Sequence, residues 1–124
     1  MKRYLLATGP TPVPERVLAA MSRPMIHHRG AEYAALFHRT RLELRGLFRT
    51  DSPVVVLASS GTGGMEAAVA NLISAGDEAI VVRGGKFGER WAELVAAYGG
   101  KVTPIDVEWG HAVEPRAVAD ALKR

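Results

Sequence analysis

Six consecutive small residues, Ser59-Ser60-Gly61-Thr62-Gly63-Gly64, carry the clearest chemistry in this chain. An apolar run from Val54 to Leu57 precedes them, and Met65, Val69, Leu72 and Ile73 follow at helical spacing, with Gly76 as a stop signal. A strand that turns into a helix through glycines leaves the first N–H groups of the helix without partners, aimed out of its positive end. Gly61 and Gly63 let an anion approach that backbone, and Ser59, Ser60 and Thr62 add hydroxyl donors. The pattern reads as a phosphate cradle. A tight turn that binds nothing is the plainer alternative.

Three phosphate chemistries compete for such a turn. A nucleoside-triphosphate loop ends in Gly-Lys-Ser/Thr, and Gly63-Gly64-Met65 has neither the lysine nor the hydroxyl. A dinucleotide fingerprint fits at Gly61 and Gly63, but Glu66 stands where the third glycine packs helix against strand. Arg83, ending the next strand, would then face a 2′-phosphate; this dinucleotide-binding domain is the weaker alternative. The third ligand carries one phosphate monoester on an aromatic ring, as pyridoxal phosphate does, and needs an aromatic plane near the turn. Phe87, just past the next strand, is placed to supply it; a core aromatic at the start of an amphipathic helix is the competing reading.

The elements that must position these residues follow from periodicity. Three prolines in Thr8-Gly9-Pro10-Thr11-Pro12-Val13-Pro14 favour an extended course, and Pro14 suits the start of a helix carrying Val17, Leu18 and Met21. A helix over Glu32 to Phe48 shows a stripe at Tyr33, Phe37, Thr40, Leu44 and Leu47, with the arginines on the opposite face. Val54 to Leu57, Ala79 to Val82 and Lys101 to Ile105 read as strands. A helix with Phe87, Trp91, Leu94, Val95 and Tyr98 joins the last two, and a final helix opens at Pro115. Alternating strands and helices with short connections predict an α/β fold with a mainly parallel sheet in three layers. No internal boundary is drawn in 1–124: an arm and short helix over 1–30, an amphipathic helix over 31–50, and a βαβαβα unit over 53–124.

With 124 residues, 48% of them hydrophobic, the chain can build a core of ordinary size. No cysteine is present, which excludes disulfides and thiolate metal sites and fits a cytoplasmic protein. No apolar run reaches membrane-span length. The formal charge is +3, and the one dense basic group, His38, Arg39, Arg41, Arg45 and Arg49, reads as a solvated helix face rather than a nucleic-acid surface. His27 and His28 are adjacent and lack a third ligand, so no metal site is assigned.

Three motifs together carry a resemblance: Thr8-Gly9-Pro10-Thr11-Pro12-Val13-Pro14, then Ser60-Gly61-Thr62 with Met65-Glu66-Ala67-Ala68, then Gly85-Lys86-Phe87-Gly88-Glu89-Arg90. In this order and separation they resemble the class V pyridoxal-phosphate aminotransferases. Within that family they are most similar to the alanine–glyoxylate and serine–pyruvate group, which includes members labelled soluble hydrogenase small subunit. The resemblance implies the N-terminal part of a fold-type I large domain. It also implies a homodimer, and amino-group transfer between an amino acid and a 2-oxo acid. By the same resemblance Ser60, Gly61 and Thr62 hold the cofactor phosphate, Phe87 stacks on the pyridine ring, and Gly9 lies beside the substrate carboxylate. Gly88 and Arg90 shape the cofactor loop; His28 and Arg29 match a recurrent pair with no catalytic role.

Three working parts of that family have no counterpart among these residues: the Schiff-base lysine, the aspartate on the pyridine nitrogen, and the arginine that grips the substrate. Of Lys2, Lys86, Lys101 and Lys123, only Lys86 is near the proposed site, and it reads as a solvated loop lysine; Asp106 is likewise not the family's aspartate. No catalytic residue is therefore assigned. The expectation is a fragment or truncated gene product that needs self-association or a partner chain, since Val54–Leu57 would lack sheet neighbours. A non-catalytic remnant serving as a binding or assembly module is the alternative from a different functional class.

Overall fold

The structure, a computed structural model, describes residues 4–7 and 9–123. Thr8 and Lys2, named above, lie outside the described residues. The chain divides into two compact units, the first ending at Val56 and the second beginning at Leu57.

The first unit holds two helices, α1 (Glu15–Met21) and α2 (Ala31–Phe48). Pro14 caps α1 from outside rather than opening it. In α2 the rings of Tyr33 and Phe37 stack with centroids 5.9 Å apart, as residues four apart on one helix face do. Leu44 is half-buried in the same stripe, but Leu47 is exposed. The expected split between apolar and basic faces is only partial. Arg41 and Arg45 are half-buried, and their Nε–H groups donate to the carbonyls of Val54 (3.0 Å) and Thr50 (3.5 Å). Their stems pack while their heads satisfy the chain that leaves the helix. Arg49 ends α2 in the left-handed conformation, φ 50°.

The second unit runs α3 (Gly61–Leu72), β1 (Glu78–Arg83), α4 (Lys86–Ala97), β2 (Lys101–Asp106) and α5 (Pro115–Ala121). β1 and β2 pair in parallel, from Glu78 opposite Lys101 to Arg83 opposite Asp106. Parallel neighbours need a crossover, and α4 is that crossover. Pro104 lies in β2 opposite Val81; a proline is tolerated because, among the described residues, β2 pairs on one side only. Val69 of α3, Val81 of β1 and Val95 of α4 form the core, with Ile73, Ala79, Ala92, Leu94 and Val102 packed around them. Gly76 and Gly99 take φ values of 92° and 81°, a region glycine enters without steric cost. The Gly76 N–H donates to the Gly99 carbonyl at 2.8 Å, joining the turns that precede the two strands.

One expected element is absent. Val54–Leu57 is not a strand, so the segment read as βαβαβα is αβαβα from Gly61 onward. A strand exists through its ladder, and the only ladder among the described residues is β1 with β2. Val55, Val56 and Leu57 are exposed, and the Val54 carbonyl accepts from Arg41 instead of from a neighbouring strand. The other strands extend one residue or so beyond the expected limits, and the helix ending before Gly76 stops at Leu72. Among the described residues no helix is long and apolar enough to cross a membrane.

Candidate functional site

The serine–glycine turn opens α3. Ser60 is its N-cap, in extended backbone (φ −83°, ψ 175°), and its side chain makes no capping bond. The Ser60 carbonyl accepts from the N–H groups of Gly63 (3.0 Å) and Gly64 (3.4 Å). Gly61 and Thr62, one and two residues into the helix, have no carbonyl within it to bond. The two glycines do different work. A Cβ placed on Gly61 would meet nothing within 4 Å, whereas one on Gly63 would overlap the Ser59 hydroxyl. Gly63 makes room for Ser59 folded over the first turn; Gly61 leaves the face of that turn open. Ser60 and Gly61 are exposed and Thr62 is half-buried.

The residue composition of this turn fits a phosphate monoester. It offers two uncommitted N–H groups, the positive end of a twelve-residue helix, a free Ser60 hydroxyl and a glycine where a Cβ would fill the space.

Phe87 is the second residue of α4 and is 61% exposed. It is therefore not a core aromatic. α3 reverses through the turn at Ser74–Asp77, where the Ser74 N–H donates to Asp77 Oδ2 at 2.8 Å, and β1 returns along the unit. Phe87 opens α4 just past the C-terminal end of β1, the end at which ligands of parallel α/β sheets bind. Gly9 is exposed and belongs to the first unit. His27 and His28 lie with ring centroids 5.1 Å apart, and no cluster of metal-ligating residues occurs among the described residues.

Sequence reasoning missed the strongest polar contact. Arg83 and Asp106, register partners at the strand ends, form a two-pronged ion pair, Nε to Oδ1 at 2.7 Å and Nη2 to Oδ2 at 2.8 Å. The hydrogen bonds from Arg83 hold the Asp106 carboxyl below its ordinary range, and Asp106 in turn raises the Arg83 guanidinium. Arg83 is thereby engaged by Asp106 rather than held free for a 2′-phosphate. Glu66, at the position of the missing third glycine, accepts from the Tyr98 hydroxyl at 3.0 Å and raises its pKa, so it ties α3 to α4. Lys86 donates to Glu89 at 2.6 Å, with its Nζ 5.5 Å from the Trp109 ring centroid. These partners lie 23 and 32 residues apart, or cross from helix to loop. The signal that points to the first pair is opposite charge at the last positions of two parallel strands.

The family model described as aminotransferase class-V matches residues 3–124. The chain is 40% identical to an uncharacterised aminotransferase of Methanocaldococcus jannaschii over 124 residues, covering 100% of this chain and 32% of the relative. It is 41% identical over 126 residues to a soluble hydrogenase small subunit of a Synechococcus species, covering 99% of this chain and 33% of that one. Among solved structures, an aspartate aminotransferase of subgroup IV from Thermus thermophilus superposes with a TM-score of 0.87 at 38% identity, over 94% of this chain and 34% of that one. The chain spans about a third of the length of the curated relatives it matches. Its parallel strands, crossover helix and glycine-opened α3 are the N-terminal part of the aminotransferase fold, and the chain belongs to the class V aminotransferase family.

Proposed function

We propose that Ser60, Gly61 and Thr62 hold the phosphate of pyridoxal phosphate, the cofactor of this family, and that Phe87 stacks against its ring. One observation carries this reading. The first turn of α3 is uncommitted and sterically open, and the next helix of the unit opens with an exposed aromatic, Phe87. The cofactor, when bound, supplies the electron-withdrawing ring on which amino groups are moved between amino acids and 2-oxo acids. This chain's residues bind the phosphate through N–H and hydroxyl donors and orient the ring by its face. Gly9, through its main chain, is the proposed neighbour of the substrate carboxylate.

On the same reading, amino transfer needs groups beyond these. Lys86 is engaged by Glu89, Lys101 begins β2 at the opposite end of the ladder, and Lys123 follows α5. None stands ready as a nucleophile for the cofactor, and Asp106 is committed to Arg83. Binding without catalysis by this chain alone is the proposal, in a cytoplasmic setting. A second copy or a partner chain belongs to the same reading, supported by the exposure of Val55, Val56, Leu57, Leu47 and Phe48.

The test follows backbone amide shifts by NMR while inorganic phosphate, then pyridoxal phosphate, is added. Amides of Ser59–Met65 should move with both ligands, and the Phe87 ring with pyridoxal phosphate alone. If those amides stay still at high phosphate, the turn is not the cradle.

A further inference from the structure

Phe87 is exposed, yet one chain neighbour lies on the end of β1 and the other stands over the loop that follows β2. A Cβ on Gly88 would stand 2.5 Å from the Val82 carbonyl oxygen and 3.0 Å from Arg83 Cα, so the first turn of α4 lies directly on the end of β1. On the other side, Lys86 is held by Glu89 and stands over Trp109. Trp109 belongs to the loop that begins just after Asp106, the last residue of β2. Both contacts therefore lead back to Arg83 and Asp106, and those residues are joined by the two-pronged pair. The Val107 N–H adds a bond to the Arg83 carbonyl at 3.2 Å.

We infer that Arg83 and Asp106 are positioning residues for Phe87, holding the strand ends in register so that its exposed ring stands at one fixed place. The inference rests on the ring-stacking reading above. An exposed ion pair adds little to stability, but a guanidinium–carboxylate fork fixes direction as well as distance. Direction matters here because the link from Arg83 to α4 is Gly84-Gly85, which has little stiffness of its own.

The experiment uses the full chain and four readouts: Phe87 ring resonances without ligand, pyridoxal-phosphate affinity, inorganic-phosphate affinity and the melting midpoint. Asp106→Asn keeps the shape but removes the charge; Arg83→Lys keeps the charge but removes the fork. Each should shift or broaden the Phe87 ring signals and weaken pyridoxal phosphate about as much as Phe87→Ala does, on the order of threefold to tenfold. Phosphate affinity and the melting midpoint should stay at their starting values. Asp106→Asn added to Phe87→Ala should cost nothing more, because the two act through one contact. Unchanged Phe87 signals in either variant overturn the inference, as does an equal loss for phosphate and pyridoxal phosphate. If Phe87→Ala leaves pyridoxal-phosphate affinity intact, the stacking reading fails instead, and the ring signals still decide whether the pair positions Phe87.

Discussion

Two helices of the second unit begin at glycines, and they begin differently. α3 starts at Gly61, where an added Cβ would meet nothing, under a Ser60 hydroxyl that caps nothing. α4 starts at Lys86, and its third residue, Gly88, is pressed against the Val82 carbonyl. One start is open and electrostatically unsatisfied; the other is closed and held from both sides. A helix end left open is fit to receive an anion, while a helix end pinned down is fit to aim a side chain. Glycine serves both purposes, through free space in the first case and close approach in the second.

Substitution should separate the two roles, most strongly at the closed start. Gly88→Val drives a side chain into backbone that cannot move aside, and should destabilise the unit by about 1–3 kcal/mol or more in chemical denaturation. Gly61→Val is the mirror case. Its stability should fall by less than about 1 kcal/mol, while the phosphate-induced shifts of Ser59–Met65 disappear because the branched side chain fills the anion's place. A smaller effect is expected from Ser60→Ala. With no capping bond to lose, the melt should hardly change, and phosphate affinity should drop by about 1 kcal/mol, the worth of one hydrogen bond to a charged group.

The smallest effect is electrostatic. Asp106 is held below its ordinary value of 3.8 by Arg83. Its contribution to stability is therefore complete above that ordinary value and is lost as pH falls through the lowered one. The pair is exposed, so the change in melting is slight, but the Asp106 side-chain carbon signal should titrate below 3.8. A midpoint at or above that value would show the fork open in solution and erase the contrast between the two helix starts.

Much of this was legible in the residues, and the misses have physical causes. The spacing predicts the long helix over Glu32 to Phe48 and the helix is Ala31–Phe48, because seventeen residues at helical period fit no other element. The two paired strands were found from their β-branched runs. Val54–Leu57 has the same composition and is no strand, because composition states a preference and only a partner makes a ladder. Helical spacing assigns the arginines of α2 to water as a group, whereas Arg41 and Arg45 cap carbonyls of the chain leaving the helix. Ser60, Gly61, Thr62 and Phe87, the proposed cofactor residues, could be named from local pattern. The Arg83–Asp106 fork could not, since it depends on a register between strands that sequence spacing does not state.

That register also sets how the unit assembles. Every rung of the ladder from Glu78–Lys101 to Arg83–Asp106 joins residues the same short stretch of chain apart, 23 positions for the last pair. Closing a loop of that size carries a modest entropic cost, and each rung formed leaves the next with almost none. A parallel pair at this separation is a non-local contact, and such pairing is slow because the loop must close before any rung rewards it. The scaffold for Phe87 is thus complete once Asp106 has found Arg83.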